Sequence, residues 1–282
     1  MPELPEVETV CRGLNALTLG QEIRGGEVLL QRTLAYPFSV AEFWQGLEGT
    51  AIAYWDRRGK YLSARLSPGG WLGVHLRMSG QLFYLNQDTP VHKHTRIRLF
   101  LGDNQELRFV DTRTFGKMWW VPPTEVPEKI IPGLLKLGPE PFSPEFSVEY
   151  IKEKIQKSKR KMKNLLLAQE FVAGIGNIYA DEVLFKSGIN PEAIASDLTE
   201  KQIDLLHKAI REVLQTAIDF GGTTFSDFLN VMGVNGNYGG VAWVYGRTGQ
   251  PCRVCATPIT RIKLGGRSSH FCPQCQSNVQ LL

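Results

Sequence analysis

Four cysteines in the last part of the sequence have the spacing of a tetrahedral metal site. Cys252-x-x-Cys255 and Cys272-x-x-Cys275 are separated by 16 residues, and each pair can present two thiolates from one tight turn. Four thiolates fill the coordination sphere of Zn²⁺ and leave no position for water. The pattern predicts one structural zinc ion. Two disulfides or a redox pair are the alternatives, which a cytosolic setting disfavours.

A second reactive group stands at the start of the sequence, Met1-Pro2-Glu3-Leu4-Pro5-Glu6. Removal of Met1 would leave Pro2 with a free α-amine. An ordinary α-amine has a pKa of about 7.7 to 8.0 and is partly unprotonated near neutral pH, whereas a lysine at about 10.4 is almost fully charged. Such an amine is a plausible Schiff-base nucleophile. By itself, a Pro-Glu start has little specificity.

Basic side chains are concentrated in two segments. Residues 152–163 carry seven Lys and Arg against one Glu, and residues 228–282 carry five and no acidic residue, although the net charge of the chain is only +4. A solvated helix face is the ordinary interpretation of the first segment. Beyond it, Gly174-x-Gly176-Asn177 predicts a capped helix start that can bind phosphate, unless Asn177 only caps its own helix. Together these features favour nucleic acid as partner, with an acidic membrane surface second.

The elements that must position these groups follow from the hydrophobic pattern. Residues 5–17 have the period of a helix that Gly20 ends, and residues 21–121 alternate with period two, as in an antiparallel sheet. Seven of the 16 prolines lie in residues 122–144 and predict a linker without helix or central strand. Helices are predicted over 148–157, 162–172, 178–185 and 199–220, and a long flexible loop over 230–240.

The sequence therefore predicts an α+β protein. We expect an antiparallel β-sandwich with a flanking helix in residues 1–130, a helical domain in 131–235 and a zinc-finger module in 236–282. With 43% hydrophobic and 21% charged residues the chain has an ordinary globular composition. It lacks both the roughly 18 apolar residues of a membrane span and the basic start of a signal peptide. We expect a cytosolic monomer without membrane contact.

Six segments occur in one order along nearly the whole chain: PELPEVET from Pro2, RRGKYL from Arg57, HLRMSG from His75, DTRTFG from Asp111, GIGNIY from Gly174 and the four-cysteine finger. Together they resemble the formamidopyrimidine-DNA glycosylases. The resemblance implies a helix-two-turn-helix element and a bifunctional base excision repair enzyme. Such an enzyme removes 8-oxoguanine and formamidopyrimidines from duplex DNA and then cleaves the strand by β,δ-elimination.

The resemblance also assigns catalytic roles. Pro2 would attack C1′ of the damaged nucleotide, and Glu3 would be the general acid and base. Lys60 would bind phosphate near the lesion and donate a proton in β-elimination. Arg267 would act in δ-elimination, where an always-charged guanidinium is better suited to stabilise a leaving phosphate than to give up a proton.

The DNA contacts are implied in the same way. Met78, Arg113 and Phe115 would fill the gap left by the extruded nucleotide; for Met78 and Phe115, packing in the sheet core is the alternative. The predicted contacts to the DNA backbone are His94, Lys159, Lys163 and Asn177.

Three other functions are compatible with parts of this pattern. An endonuclease VIII-type glycosylase would remove oxidised pyrimidines, but its start typically reads Pro-Glu-Gly-Pro. A non-catalytic zinc-ribbon protein that binds damaged DNA has no use for a nucleophilic amine. A zinc-ribbon RNA-processing factor would need aromatic stacking segments that this sequence lacks.

Overall fold

The structure is a computed structural model that describes residues 1–223 and 229–277 and divides the chain into two compact units. The first unit holds Met1–Lys136 and the described part of Phe220–Asn237. The second holds Leu137–Asp219 and the described residues from Tyr238 onward. Among the helices described, none has both the length and the apolar character required to cross a bilayer.

The first unit contains most of the strands. Its helices at the N-terminal side are α1, Leu4–Thr18, and α2, Val40–Leu47. Gly20, at φ 75°, follows the end of α1 as predicted. The strands are, in chain order, β1 Gly26–Val28, β2 Leu34–Tyr36, β3 Ala51–Arg58, β4 Tyr61–Ser67, β5 Trp71–His75, β6 Gly80–Asn86, β7 Thr95–Phe100, β8 Gln105–Asp111 and β9 Lys117–Val121.

Two sheets enclose the core of this unit. One has the strand order β1-β7-β8-β6 and the other β2-β9-β5-β4-β3. Apolar side chains of both sheets and of α1 share one buried cluster, in which Val10, Leu62 and Leu107 are 0% exposed. This confirms the predicted sandwich with its flanking helix. One pairing differs from the prediction, because β2 and β9 run parallel.

The proline-rich segment is more ordered than the sequence predicts. It contains two helical turns, α3, Pro127–Ile130, and α4, Pro132–Leu135. The prediction of a segment without helix was wrong because both prolines stand at the start of a turn. There the fixed φ of proline suits the helix and its missing N–H is not needed.

The second unit contains the predicted helices and a hairpin. Its elements are α5 Val148–Gln156, α6 Met162–Leu167, α7 Asn177–Lys186, α8 Glu200–Asp219, β10 Thr260–Leu264 and β11 Arg267–Phe271. Helix α6 ends at Leu167, earlier than predicted, and Gly174, which has φ 89°, lies in the non-helical segment before α7.

The chain returns to the first unit after α8. Tyr84 N donates to Val231 O at 3.0 Å, and Val231 is 2% exposed in the core of that unit. The prediction placed Val231 in the helical domain of residues 131–235, whereas the structure places the described part of Phe220–Asn237 in the first unit. Part of the loop predicted over 230–240 thus belongs to the first unit, and its last residues, Tyr238–Gly240, form a short 3₁₀ helix.

Candidate active site and nucleic-acid interface

The start of α1 holds two predicted catalytic residues in a buried position. Pro2 is buried and Glu3 is 1% exposed, whereas Met1 is 40% exposed. Glu3 and Glu6 form a capping box, in which Glu3 N donates to Glu6 Oε2 at 2.8 Å. This reciprocal capping fixes the backbone that follows Pro2.

Glu6 also holds the segment that follows α8. Its Oε1 accepts a hydrogen bond from Thr223 N at 2.7 Å. A Cβ on Gly222 would lie 2.9 Å from the same oxygen, and Gly222 has φ 80°. The close approach therefore needs glycine at this position. One buried carboxylate thus joins the N-terminus to a segment far along the chain.

Lys60 lies in the tight turn between β3 and β4, where Gly59 has φ 56°. Arg57 holds this turn next to α1, because its Nε donates to Glu8 Oε2 at 2.8 Å and its Nη1 donates to Gly59 O at 3.1 Å. Burial raises the pKa of Glu8, but hydrogen bonds from Arg57 and Arg12 outweigh it and keep the pKa below its usual value. Glu8 is therefore ionised at neutral pH, and the ion pair is present.

The histidine of the HLRMSG segment has a structural role. Burial, with added repulsion from the charges of Arg77 and Lys60, lowers the pKa of His75 to about 3. The neutral ring accepts a hydrogen bond at Nδ1 from Arg77 N at 2.9 Å. His75 therefore supports the turn before Met78 and adds no positive charge beside Lys60.

The three predicted gap-filling side chains lie on two loops of the first unit. Met78 is half-buried in the turn between β5 and β6, whereas Arg113 and Phe115 are exposed between β8 and β9. Phe115 is 49% exposed, and the Arg113 guanidinium carbon lies 5.2 Å from the centre of its ring. Neither Met78 nor Phe115 belongs to the buried core cluster, so the alternative of core packing does not account for these two side chains.

His94 precedes β7 and is half-buried. Its Nδ1 lies 3.1 Å from Arg96 Nη2, and its carbonyl accepts from Asp111 N at 3.0 Å. Partial burial and the charges of Arg96 and Lys93 lower the pKa of His94. Without a bound anion, the ring is therefore neutral near pH 7.

In the second unit, the start of α7 differs from its prediction in one residue. Gly176 is the N-cap, and Asn177 is the first residue of the helix rather than its cap. Asn177 Oδ1 is buried and has no hydrogen-bond partner within the described ranges. Rotation of an amide side chain by half a turn exchanges the positions of its oxygen and its nitrogen. The amide can therefore turn to place an N–H donor at this position.

Lys163 does not lie on the surface, as a phosphate-binding lysine would. Its side chain is 0% exposed, and its Nζ lies 2.6 Å from Asp181 Oδ1 and 2.8 Å from Asn177 O. The cause is the burial of one face of α6, which brings Lys163 against α7. In this arrangement Lys163 holds the start of α7.

Two consecutive acidic residues of α7, both 0% exposed, bind the finger region. Asp181 accepts from Ser269 Oγ at 2.8 Å and from His270 N at 2.8 Å, both on β11. Glu182 accepts from the backbone N–H groups of residues 243–245 at 2.8 to 2.9 Å. Sequence reasoning missed Asp181, Glu182 and Glu6. For Asp181 and Glu182, the signal in the sequence was a pair of adjacent acidic residues within an otherwise apolar helix, which indicates buried carboxylates with partners.

Arg267 begins β11 directly after the turn Gly265-Gly266, and its side chain is exposed. Arg267 thus lies at the tip of the β10–β11 hairpin. Gly265 has φ 53°, and a Cβ there would lie 2.8 Å from Asn164 Oδ1 on α6. The hairpin tip therefore packs against the helix that carries Lys163.

Much of the basic segment 152–163 is neutralised by surface glutamates. Lys152, Lys157, Arg160 and Lys161 form ion pairs with Glu200, Glu153, Glu170 and Glu192. Lys159 is exposed and donates to Ser196 Oγ at 3.3 Å. The segment is not one helix face, because α5 ends at Gln156 and α6 begins at Met162.

The four cysteines converge on one point. Their sulfur atoms all lie within 4.8 Å of one another, with distances of 3.9 Å between Cys252 and Cys275 and 3.4 Å between Cys255 and Cys272. A disulfide needs about 2.05 Å, whereas sulfurs around a tetrahedral zinc lie about 3.8 Å apart when each Zn–S bond is about 2.3 Å. Hydrogen bonds from Thr257 lower the pKa of Cys255 to about 6. The donor set is that of one structural Zn²⁺.

Comparisons with known proteins agree with this combination of sandwich, helical unit and zinc finger. Three family models match, in chain order: "Formamidopyrimidine-DNA glycosylase N-terminal domain" over residues 1–118, "Formamidopyrimidine-DNA glycosylase H2TH domain" over 137–229, and "Zinc finger found in FPG and IleRS" over 249–278. The class defined by these matches is that of DNA repair glycosylases with a helix-two-turn-helix element.

Full-length relatives define the family within that class. The formamidopyrimidine-DNA glycosylase of Nostoc punctiforme is 67% identical over 98% of this chain and 96% of its own length. That of Trichodesmium erythraeum is 62% identical over 98% of this chain and its own full length. The chain belongs to the formamidopyrimidine-DNA glycosylase family.

Solved structures of relatives have the same fold and contain damaged DNA. Lactococcus lactis Fpg in complex with DNA containing an abasic site has a TM-score of 0.90 at 38% identity, over 98% of this chain and all of that chain. A complex of the L. lactis enzyme with Fapy-dG DNA has a TM-score of 0.89, as does MutM bound to carbocyclic 8-oxo-G DNA, both with the same identity and coverage.

Proposed function

We propose that this glycosylase removes 8-oxoguanine and formamidopyrimidines from duplex DNA through a Schiff base on Pro2 and then cleaves the strand as an AP lyase. The observation that carries the proposal is the buried Pro2-Glu3 pair at the fixed start of α1, behind an exposed Met1. We infer that Met1 is removed, because only then is Pro2 N an amine. Base removal and strand cleavage would take place in the bacterial cytosol, where the chromosome lies.

In the first step the lone pair of Pro2 N attacks C1′ and the bond from C1′ to the base breaks. The departing base takes up a proton. The attack leaves a proton on Pro2 N; the Glu3 carboxylate takes up this proton and delivers it to the sugar ring oxygen. The ring C1′–O bond then breaks, and the lone pair freed on nitrogen forms the iminium with C1′. Burial around Pro2 and Glu3 excludes water that would compete for the same carbon.

Two eliminations follow from the iminium. Loss of a C2′ proton forms the C2′–C3′ double bond and breaks the C3′–O bond. Loss of a C4′ proton then forms the C4′–C5′ double bond and breaks the C5′–O bond, so that both phosphates leave. The positive charges of Lys60 and Arg267 are suited to stabilise these leaving groups. The tie from α1 through Glu8 and Arg57 to Gly59 supports such a role for Lys60.

The proposed DNA interface uses the exposed or partly exposed groups. His94, Lys159, Arg267 and the Asn177 amide would contact the backbone, with Lys163 and Asp181 holding the start of α7 from behind. Met78, Arg113 and Phe115 would fill the gap in the duplex. The L. lactis complexes contain abasic-site and Fapy-dG DNA, which supports damaged duplex DNA as the partner here.

Borohydride trapping tests the proposal. Protein with a processed N-terminus is mixed with a duplex that contains 8-oxoguanine opposite cytosine, and borohydride reduces the iminium to a stable adduct. We expect a covalent protein–DNA adduct that Pro2→Gly abolishes. An adduct on thymine glycol but not on 8-oxoguanine would identify an oxidised-pyrimidine enzyme. Lesion binding without an adduct on either duplex would identify a non-catalytic binder.

A further inference from the structure

A single buried carboxylate joins the two loops that carry the gap-filling side chains. Asp111, at the end of β8, is 1% exposed. Its Oδ1 accepts from Ser79 Oγ at 2.6 Å and from Arg113 N at 3.2 Å, and its Oδ2 accepts from Gly116 N at 2.7 Å. Ser79 directly follows Met78, while Arg113 and Gly116 are on either side of Phe115.

The network around Asp111 is closed and anchored in the sheet. Arg113 N also donates to Ser79 Oγ at 3.0 Å, so the hydroxyl is acceptor and donor at once and its orientation is fixed. Asp111 N donates to His94 O, and Asp111 O accepts from Arg96 Nε at 2.8 Å. The carboxylate therefore extends from a backbone that β7 holds in place.

Both loops contain a residue in the left-handed region. Arg77, before Met78, has φ 57°, and Thr114, between Arg113 and Phe115, has φ 58°. A β-branched residue at such a φ is an outlier that persists only when its surroundings over-determine it. The hydrogen bonds from Arg113 N and Gly116 N to Asp111 bracket Thr114 and supply that constraint.

We propose that Asp111 is a positioning residue for base extrusion. Its carboxylate holds the Met78 loop and the Arg113–Phe115 loop at a fixed separation, so that the side chains enter the base stack together as the damaged nucleotide leaves. Ordering these loops before binding removes an entropy cost from extrusion. This inference rests on the proposed function, because it concerns the step that precedes attack by Pro2.

The test compares a substrate that requires extrusion with one that does not. A duplex with 8-oxoguanine opposite cytosine has a stack to be filled, whereas a single strand with an abasic site has neither a stacked damaged base nor an opposite strand. Misplacing a group by about 1 Å can cost about 100-fold in rate. For Asp111→Ala we expect single-turnover excision on the duplex to fall by about 10- to 100-fold, with borohydride trapping on the single strand roughly unchanged.

Three further variants make the test specific. Ser79→Ala removes one hydrogen bond to Asp111 and should show a smaller loss of the same kind. Asp88→Ala removes an exposed carboxylate in the loop after β6, one that accepts from Asn104 Nδ2 at 2.8 Å, and should match the wild type. In a Phe115→Ala background, Asp111→Ala should cost less than in the wild type, because both act on the same step.

The outcomes separate the inference from the proposed function. If the wild type traps neither substrate, the proposed function fails and the inference falls with it. If the wild type is active and Asp111→Ala excises from the duplex as fast as the wild type, only the inference is overturned. An equal loss on both substrates also overturns it, since that is general damage to the fold. If Asp111→Ala does not fold, Ser79→Ala decides: a selective loss on the duplex supports the inference, and no loss overturns it.

Discussion

Replacing Asp181 by asparagine would leave the Lys163 ammonium buried without its counter-charge. Both side chains are 0% exposed, and the ion pair is 2.6 Å long. Removing one partner of a buried pair costs about 3 to 5 kcal/mol, because the remaining charge cannot be solvated. The hydrogen bonds from Ser269 and His270 to Asp181 would be weakened in addition.

The expected loss is large enough to be measured as a melting temperature. For a unit of this size, 1 kcal/mol corresponds to roughly 3 to 5 °C, so we expect Asp181→Asn to lower the melting temperature of the second unit by about 10 to 20 °C. Calorimetry of the zinc-loaded protein would measure it. A matched control is Glu192→Gln: its pair with Lys161 is 2.7 Å long but has side chains 40% and 45% exposed, and exposed pairs contribute about 0 to 1 kcal/mol.

A double variant tests the stated cause. Lys163→Met combined with Asp181→Asn removes both charges, and it should regain much of the stability that Asp181→Asn loses. If the two single losses simply add in the double variant, or if Asp181→Asn melts within about 3 °C of the wild type, burial of an unpaired charge is not the cause.

Three other predictions concern the proposed interface with DNA. If about five phosphates are contacted, log K measured by fluorescence anisotropy should fall against log salt with a slope of about −4 to −5, and a slope near zero would exclude the phosphate contacts. Zinc removal, verified by metal analysis, should abolish duplex binding while circular dichroism still shows the folded β unit; binding that survives metal loss would contradict this. A phosphate beside His94 should raise the lowered pKa of the ring, so affinity should increase as the pH falls from about 8 to about 5.5. His94→Gln should remove that increase, and an identical pH profile in the variant would show that His94 does not face phosphate.

Local patterns in the sequence predicted much of the fold and the zinc site. Period-two alternation in residues 21–121 predicted the sandwich, because the side chains of a strand alternate between core and solvent. Two CxxC pairs predicted the metal site, because each pair is a local turn that presents two thiolates. A single contact between the two turns then completes the set of four ligands. The environment of a single side chain could not be predicted in this way: Lys163, a predicted contact to the DNA backbone, is buried in an ion pair with Asp181.

Contacts between residues far apart in the chain were determined by the tertiary structure alone. Glu6 binds Thr223 across 217 residues, and Asp181 binds Ser269 across 88. No periodicity signals such contacts, because each depends on packing that brings two separate elements together. The Asp111 carboxylate also depends on a distant contact. Asp111 belongs to the motif DTRTFG, but its partner Ser79 lies 32 residues earlier in the chain. A buried carboxylate must find its donors within the fold, so the sequence names the residue and only the packing determines which loops it joins.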